Sequence, residues 1–181
     1  MITKTLFTVV MLLLTGYASL ASPLCAQERK NGEYEVKAAF IYNIGKFIEW
    51  PEKPGEKSDC LTLGLLGNDH FEKHLDVLQG KKLRGKKIIV KRFASVHEAK
   101  NCHILFIAGS EKTRINLILK ELATKPILTV GDTDSFAEKG VMINFYIDNN
   151  KVRFAINNEA AKRANVRIHS NLLTLGKIVS P

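Results

Sequence analysis

Apolar and polar positions along this chain keep two different rhythms, and the rhythms divide it into elements. From Glu33 to Trp50, the residues Val36, Phe40, Ile44, Phe47 and Ile48 recur at helical spacing, which predicts a helix with those side chains inward and Pro51 as its stop. The Pro/Gly/Lys stretch that runs on to Ser58 reads as an exposed loop. Leu61 to Leu66 is a short apolar run closed by Gly67, the pattern of a buried strand. Asp69 can cap a helix running to about Leu78, with Phe71, Leu75 and Leu78 on one face. Lys87 to Phe93 reads as a second strand, Ser95 to Glu98 has capping-box spacing for a short helix, and Cys102 to Ala108 is a third, strongly apolar strand.

The second half continues the alternation. Glu111 to Ala123 predicts a helix with Ile115, Leu119 and Leu122 inward, and Pro126 to Val130 a fourth strand entered through its proline. Gly131 and Asp132 turn the chain into a short helix around Phe136. The rhythm then becomes strictly two-residue: Val141, Ile143, Phe145 and Ile147 alternate, as do Val152, Phe154 and Ile156, with Asn149 and Asn150 between them. Asparagine tolerates positive φ, so this pair predicts a tight hairpin. Two terminal helices are expected, at Asn158 to Ala164 and His169 to Val179. The fold class is therefore α/β: a single domain with a mixed β-sheet of about six strands, helices on both faces, and a C-terminal hairpin plus helices.

The first residues bear on the compartment. Lys4 precedes the apolar run Leu6 to Leu14, and Ser19-Leu20-Ala21 and Leu24-Cys25-Ala26 each offer a cleavage site, which is the order of a secretory signal peptide. The apolar run falls short of the roughly 20 residues that span a bilayer. Ser22-Pro23-Leu24 before Cys25 lacks the small residue that lipoprotein processing prefers. The expected organisation is a leader over 1–26 and a periplasmic domain over 27–181, with no transmembrane segment in the mature chain. Cys25 is lost or stranded at the new terminus, which leaves Cys60 and Cys102. An even pair in an oxidising compartment usually forms a bridge, worth about 4 kcal/mol for a loop of this length. The other reading is two buried thiols, since spacing along the chain does not place the α-carbons.

Composition narrows the function classes. A chain of 181 residues with 45% apolar and 25% charged content suits one globular core and excludes disordered or collagen-like classes. The 27 Lys+Arg against 18 Asp+Glu give a net charge of +9, falling to +8 once Lys4 leaves with the leader. Export makes nucleic acid the poorest partner for this charge, and apart from Lys81 to Arg92 the cations are spread out as on a solvated surface. Gly80 to Lys87 nearly spells a phosphate-binding loop, but Lys87 stands where the magnesium-holding hydroxyl belongs, and the segment lies between helix and strand. His70 and His74 share a helix face, yet no third ligand stands at a telling spacing, and His97, His103 and His169 are scattered, so no metal is expected. Neither Gly-x-Ser-x-Gly nor His-Glu-x-x-His occurs. Asp132 and Asp134 follow a strand end, where α/β domains often place sites, and helix capping accounts for Asp132 equally well. Nothing assembles a nucleophile, base and orienting group. The chain reads as a binding protein without catalytic residues or cofactor.

Several blocks then resemble one family in order. Lys37-Ala38-Ala39-Phe40-Ile41-Tyr42-Asn43-Ile44-Gly45-Lys46-Phe47-Ile48-Glu49-Trp50-Pro51 resembles the opening helix of the YfiR family of periplasmic regulators. Leu63 to Asp69, Cys102 to Ile107, Leu128 to Asp132 with Phe136-Ala137, Gly140 to Ile143, Arg153 to Asn157 and Ile168 to Val179 resemble its later blocks. The resemblance covers about Tyr34 to Val179. It implies a periplasmic negative regulator that binds the periplasmic sensor region of an inner-membrane diguanylate cyclase, or another membrane sensor protein, and restrains cyclic di-GMP synthesis and biofilm formation. It also implies homodimer formation and redox sensing through disulfides. Cys60 and Cys102 match the positions of one family bridge, while a second pair seen in some members is absent, since no cysteine follows Val130. The competing expectations are a periplasmic small-molecule binding module that feeds a membrane sensor and, third, a hydrolase.

Overall fold

The computed structural model describes residues 23–51, 59–68 and 71–180, with side chains from residue 32 onward except at Glu72. The chain divides into two compact units, Met1–Glu33 and Tyr34–Pro181. The expected leader over 1–26 lies, as far as Ser22, outside the described residues. Helix α1, Pro23–Gly45, begins in the first unit and supplies the opening helix of the second.

The second unit is a mixed sheet of eight strands in the order β10-β8-β7-β6-β5-β2-β4-β3. Its strands are β2 (Cys60–Leu66), β3 (Lys82–Leu83), β4 (Lys86–Phe93), β5 (Ile104–Ile107), β6 (Leu128–Gly131), β7 (Ile143–Asp148), β8 (Lys151–Ile156) and β10 (Lys177–Ile178). A separate antiparallel pair joins β1 (Ile48–Glu49) to β9 (Arg167–Ile168). The two strands beyond the expected six are β3 and β10, each only two residues long and too short to leave a periodic signal. The α/β class and the mixed sheet match the expectation.

β4, β2, β5, β6 and β7 run parallel, while β3–β4 and β7–β8 are antiparallel hairpins. A parallel strand covered on both faces carries a continuous apolar run instead of an alternating one. That is what Ile104–Ile107 and Leu128–Gly131 show, every residue being buried. One core layer gathers Leu61, Leu63, Leu65, Ile104 and Phe106 with Ala38, Ile41 and Ile44 of α1. The other gathers Leu66, Leu105 and Ile107 with Ile115, Ile118 and Leu122 of α3 (Ile115–Leu122) and Phe136 of α4 (Phe136–Lys139).

Three expectations are corrected. The opening helix ends at Gly45 and not at Pro51, because there the backbone passes Leu83 so closely that a Cβ would lie 2.6 Å from its Cδ2. Its inward face is also shifted: Val36 is 44% exposed, and Lys37, Ala38, Ile41 and Ile44 are buried. The last helix is only α6 (Ser170–Leu173). Gly176 then packs on Phe154 and Ile156, where a Cβ would meet both at 2.7 Å, and the chain joins the sheet as β10. In contrast, Asn149 and Asn150 adopt φ of 48° and 58° between β7 and β8, the tight hairpin their sequence predicts.

Candidate functional site

The two cysteines stand at the entry to the neighbouring parallel strands β2 and β5. Leu63 of β2 lies opposite Ile104 of β5, and the pairing extends back through the His103 amide, which donates to the Thr62 carbonyl at 2.9 Å. Cys60 opens β2, and Cys102 lies two residues before β5. Cys60 is half-buried and Cys102 buried, with both sulfurs in the thiol form. Burial pushes the Cys102 thiol up to about 12. A thiol that high holds almost no nucleophilic thiolate at neutral pH, so Cys102 cannot begin an exchange reaction.

The cysteine segment is clamped. Trp50 donates its indole N–H to the His103 carbonyl at 3.0 Å and stands edge-on to the His103 ring at 6.1 Å. The His103 Nδ1 accepts from the Thr62 amide at 3.1 Å, in place of a backbone carbonyl, where β5 has not yet begun. The same His103 carbonyl accepts from the Leu128 amide at 2.9 Å. Residues from just after β1, from β2 and from β6 thus converge on the residue beside Cys102.

At the opposite ends of these strands Lys37 of α1 meets Asp132, just past β6, with Nζ 2.7 Å from Oδ2 and only 5% and 10% of the side chains exposed. Asp132 is thus an ion-pair partner and not the helix cap: Ser135 holds the N-cap place of α4, with no side-chain cap bond. Asp134 is exposed. Nearby, Asn144 donates Nδ2 to the Thr133 carbonyl at 3.0 Å, while its buried Oδ1 has no partner among the described residues. A second polar tie is Asn157, fully buried, whose Oδ1 accepts from the Ala160 amide at 2.9 Å and whose Nδ2 donates to the Ala137 carbonyl at 2.7 Å. It caps α5 (Asn158–Arg163) and fastens it to α4.

A shallow groove of about 330 Å³ opens beside Thr129 and Met142. Leu119, Leu122 and Ala160 form its floor, and Lys120, Lys139 and Arg163 stand around it. The neighbouring Glu159 is drawn to Lys162 at 2.8 Å, and that hydrogen bond, followed by the Lys162 charge, holds its carboxyl below the usual range.

The remaining sequence candidates are dispersed. His70 lies outside the described residues, and His74 faces the Tyr34 ring at 5.6 Å. Among the described residues no group of three His, Cys, Asp or Glu could hold a metal. The loop-like stretch Gly80 to Lys87 is the β3–β4 hairpin, turning at Arg84 and Gly85 with φ of 51° and 82°. Sequence reasoning missed Lys37 and Trp50. The signal for Lys37 was its place in the row Lys37, Ile41, Ile44, Ile48, whose other three members are apolar.

The profile of the YfiR/HmsC-like family matches residues 34–177. The crystal structure of a conserved domain protein from Vibrio cholerae superposes with a TM-score of 0.57 at 11% identity, over 82% of this chain and 60% of that one. The chain thus spans about three fifths of that protein's length, and the likeness speaks for the fold alone. An ABC domain in complex with L-Trp from Streptococcus pneumonia aligns over 66% of this chain and 55% of its own, with a TM-score of 0.47 at 10% identity. Among the described residues no helix is long and apolar enough to cross a membrane.

Proposed function

From the premise that the chain belongs to the YfiR/HmsC-like family, we propose that it is a periplasmic negative regulator of an inner-membrane diguanylate cyclase. The family is one of regulatory, non-catalytic domains tied to cyclic di-GMP signalling in the periplasm. In this reading the leader exports the chain, the folded domain binds the periplasmic sensor region of the cyclase, and binding restrains synthesis. Another membrane sensor protein could occupy the same role, and the domain acts as a homodimer. The observation that carries the reading is the family match over nearly the whole folded unit.

Cys60 and Cys102 form the bridge in this account. Cys60 is the more accessible sulfur and the one an incoming thiolate would attack; Cys102 then leaves as thiolate, and its value of about 12 makes it a poor leaving group that slows reduction. The bridge fastens β2 to the segment entering β5. If that fastening shapes the partner surface, partner binding must favour the bridged form to the same degree that bridging favours partner binding. The test is titration of the purified mature chain and of Cys60→Ser against the cyclase's periplasmic region under oxidising conditions. Tight binding by the wild type and weaker binding by the variant are expected. Equal affinities would remove the redox arm, and no binding by either would remove the regulator reading.

The groove beside Thr129 favours a second reading, a small-molecule binding module. Its size fits a small ligand, and its apolar floor under Lys120, Lys139 and Arg163 suits an amphipathic anion. A panel of aryl and alkyl carboxylates in a thermal-shift assay separates the two, because a ligand specific to the folded state raises Tm. A rise abolished by Arg163→Gln supports the module; no shift across the panel removes it.

A further inference from the structure

We propose that the β3–β4 edge of the sheet is a docking surface for anionic phospholipid headgroups. Between Asp76 and Glu98 the sequence holds seven Lys/Arg and no acidic residue. The fold gathers most of them on one rim: Lys81, Lys82, Arg84, Lys87 and Lys91 are exposed, and Lys46 from the end of α1 joins them. Lys46 and Lys81 lie over one ring, Tyr42, at 4.4 and 5.9 Å from its centroid, and the Tyr42 hydroxyl donates to the Lys82 carbonyl at 3.0 Å. Lys82 stands directly opposite Lys87 in the hairpin register, a like-charge pairing that costs stability. Among the described residues, none of these six cations is ion-paired to a carboxylate; Arg92, by contrast, reaches Asp76 at 2.9 Å.

Guarding a sheet edge is the ordinary use of lysines in such a place. Here the edge is already closed. Gly80 donates to the Ile88 carbonyl and Ile88 to the Lys81 carbonyl, both at 2.8 Å, and the Val90 amide is taken by the Gln79 Oε1 at 2.7 Å. The repulsion between Lys82 and Lys87 therefore secures nothing inside the fold, and an external anion is what would offset it.

The chemistry of the rim selects the kind of anion. Protein interfaces have an apolar centre from which lysine is depleted. None of the exposed large hydrophobic residues lies between Gln79 and Arg92. A rim with lysines and no apolar anchor fits a layer of charged headgroups, which attracts juxtamembrane cations and needs no shape match. The proposal rests on the reading that the chain is exported to a membrane-bound partner. Surface docking would then hold the domain at the membrane plane where that partner lies.

The experiment is co-sedimentation of the mature chain with vesicles of phosphatidylglycerol and phosphatidylcholine, or of phosphatidylcholine alone. Binding only to the anionic vesicles is expected, lost on raising salt well above the level at which the screening length is about 10 Å. The triple variant Lys82→Gln/Lys87→Gln/Lys91→Gln should bind about a hundredfold more weakly, from the contribution typical of each surface lysine. A control with the same charge removed elsewhere, Lys112→Gln/Lys125→Gln/Lys151→Gln, should keep most of the binding. Equal losses in both variants would show that net charge and not this rim is responsible, and absence of wild-type binding to anionic vesicles would overturn the proposal outright. Titration of the first triple variant against the soluble periplasmic region is run beside it. Unchanged partner affinity with lost vesicle binding supports the lipid assignment, whereas lost partner affinity with vesicle binding intact assigns the rim to an acidic protein surface and overturns it. Failure of the wild type to bind the partner region would count against the regulator reading and leave the vesicle result to stand alone.

Discussion

Lys37 and Lys82 carry the same ammonium group in opposite settings. Lys37 is buried and matched by Asp132 at 2.7 Å, whereas Lys82 is exposed and stands opposite another lysine. Water makes the difference possible: an unmatched charge on a wet rim costs tenths of a kcal/mol, but the same charge left alone inside costs several. The interior has balanced its charge one for one, while the β3–β4 rim leaves its charge to something outside the chain. Stability and recognition have thus been given to different lysines.

The largest effect should come from breaking the buried pair. Asp132→Ala removes the carboxylate 2.7 Å from buried Lys37 and is expected to cost about 3–5 kcal/mol in denaturant unfolding, whereas Lys37→Met/Asp132→Leu should recover most of the loss. If the single and double variants were equally destabilised, packing and not charge would be the cause. Next comes the proposed bridge: adding a reductant to the mature chain, or making Cys60→Ser under oxidising conditions, should lower stability by about 4 kcal/mol. Asn157→Ala follows at about 1–2 kcal/mol, because it removes a helix cap and the buried hydrogen bond to the Ala137 carbonyl, which keeps only the Gly140 amide.

A chemical contrast between the cysteines is sharper still in rate. In the reduced protein at pH 8, a thiol near 12 is ionised in roughly one molecule in ten thousand, so iodoacetamide should label Cys60 long before Cys102. The raised folded value also has a sign: the reduced fold should lose stability as pH rises from about 9 toward 12, the window in which an unfolded Cys102 ionises and a folded one does not. The smallest effect completes the comparison of the lysines. Lys82→Glu should leave the fold as stable as before or more stable by about 0.5 kcal/mol, since it turns a repelling cross-strand pair into an attracting one.

The parts of the fold legible in the sequence were those with local causes. Asn149-Asn150 declared a hairpin because their backbone accepts positive φ, and the parallel strands declared themselves by unbroken apolar runs. What stayed hidden depends on distant contacts. Gly45 and Gly176 end helical patterns because Leu83 and Ile156 lie against them, and no nearby residue carries that information. Lys37 and Asp132 are 95 residues apart, so Asp132 looked like a cap. Ser95 and Glu98 do interact, the hydroxyl donating to Oε1 at 3.1 Å, but the helix they precede is a 3₁₀ turn at Glu98–Asn101 capped at His97. Cys60 and Cys102 were paired from the sequence by their even number in an exported chain and by resemblance, since spacing along the chain does not place their α-carbons.

The central claim is that this domain, once outside the inner membrane, silences a cyclase within it. Intracellular cyclic di-GMP should be compared in a strain lacking the gene, in that strain supplied with the full chain, and in that strain supplied with residues 27–181 alone. A high level in the first, a low level restored by the full chain, and no restoration by the leaderless form are expected. Restoration by the leaderless form, or an unchanged level in all three strains, would contradict the account.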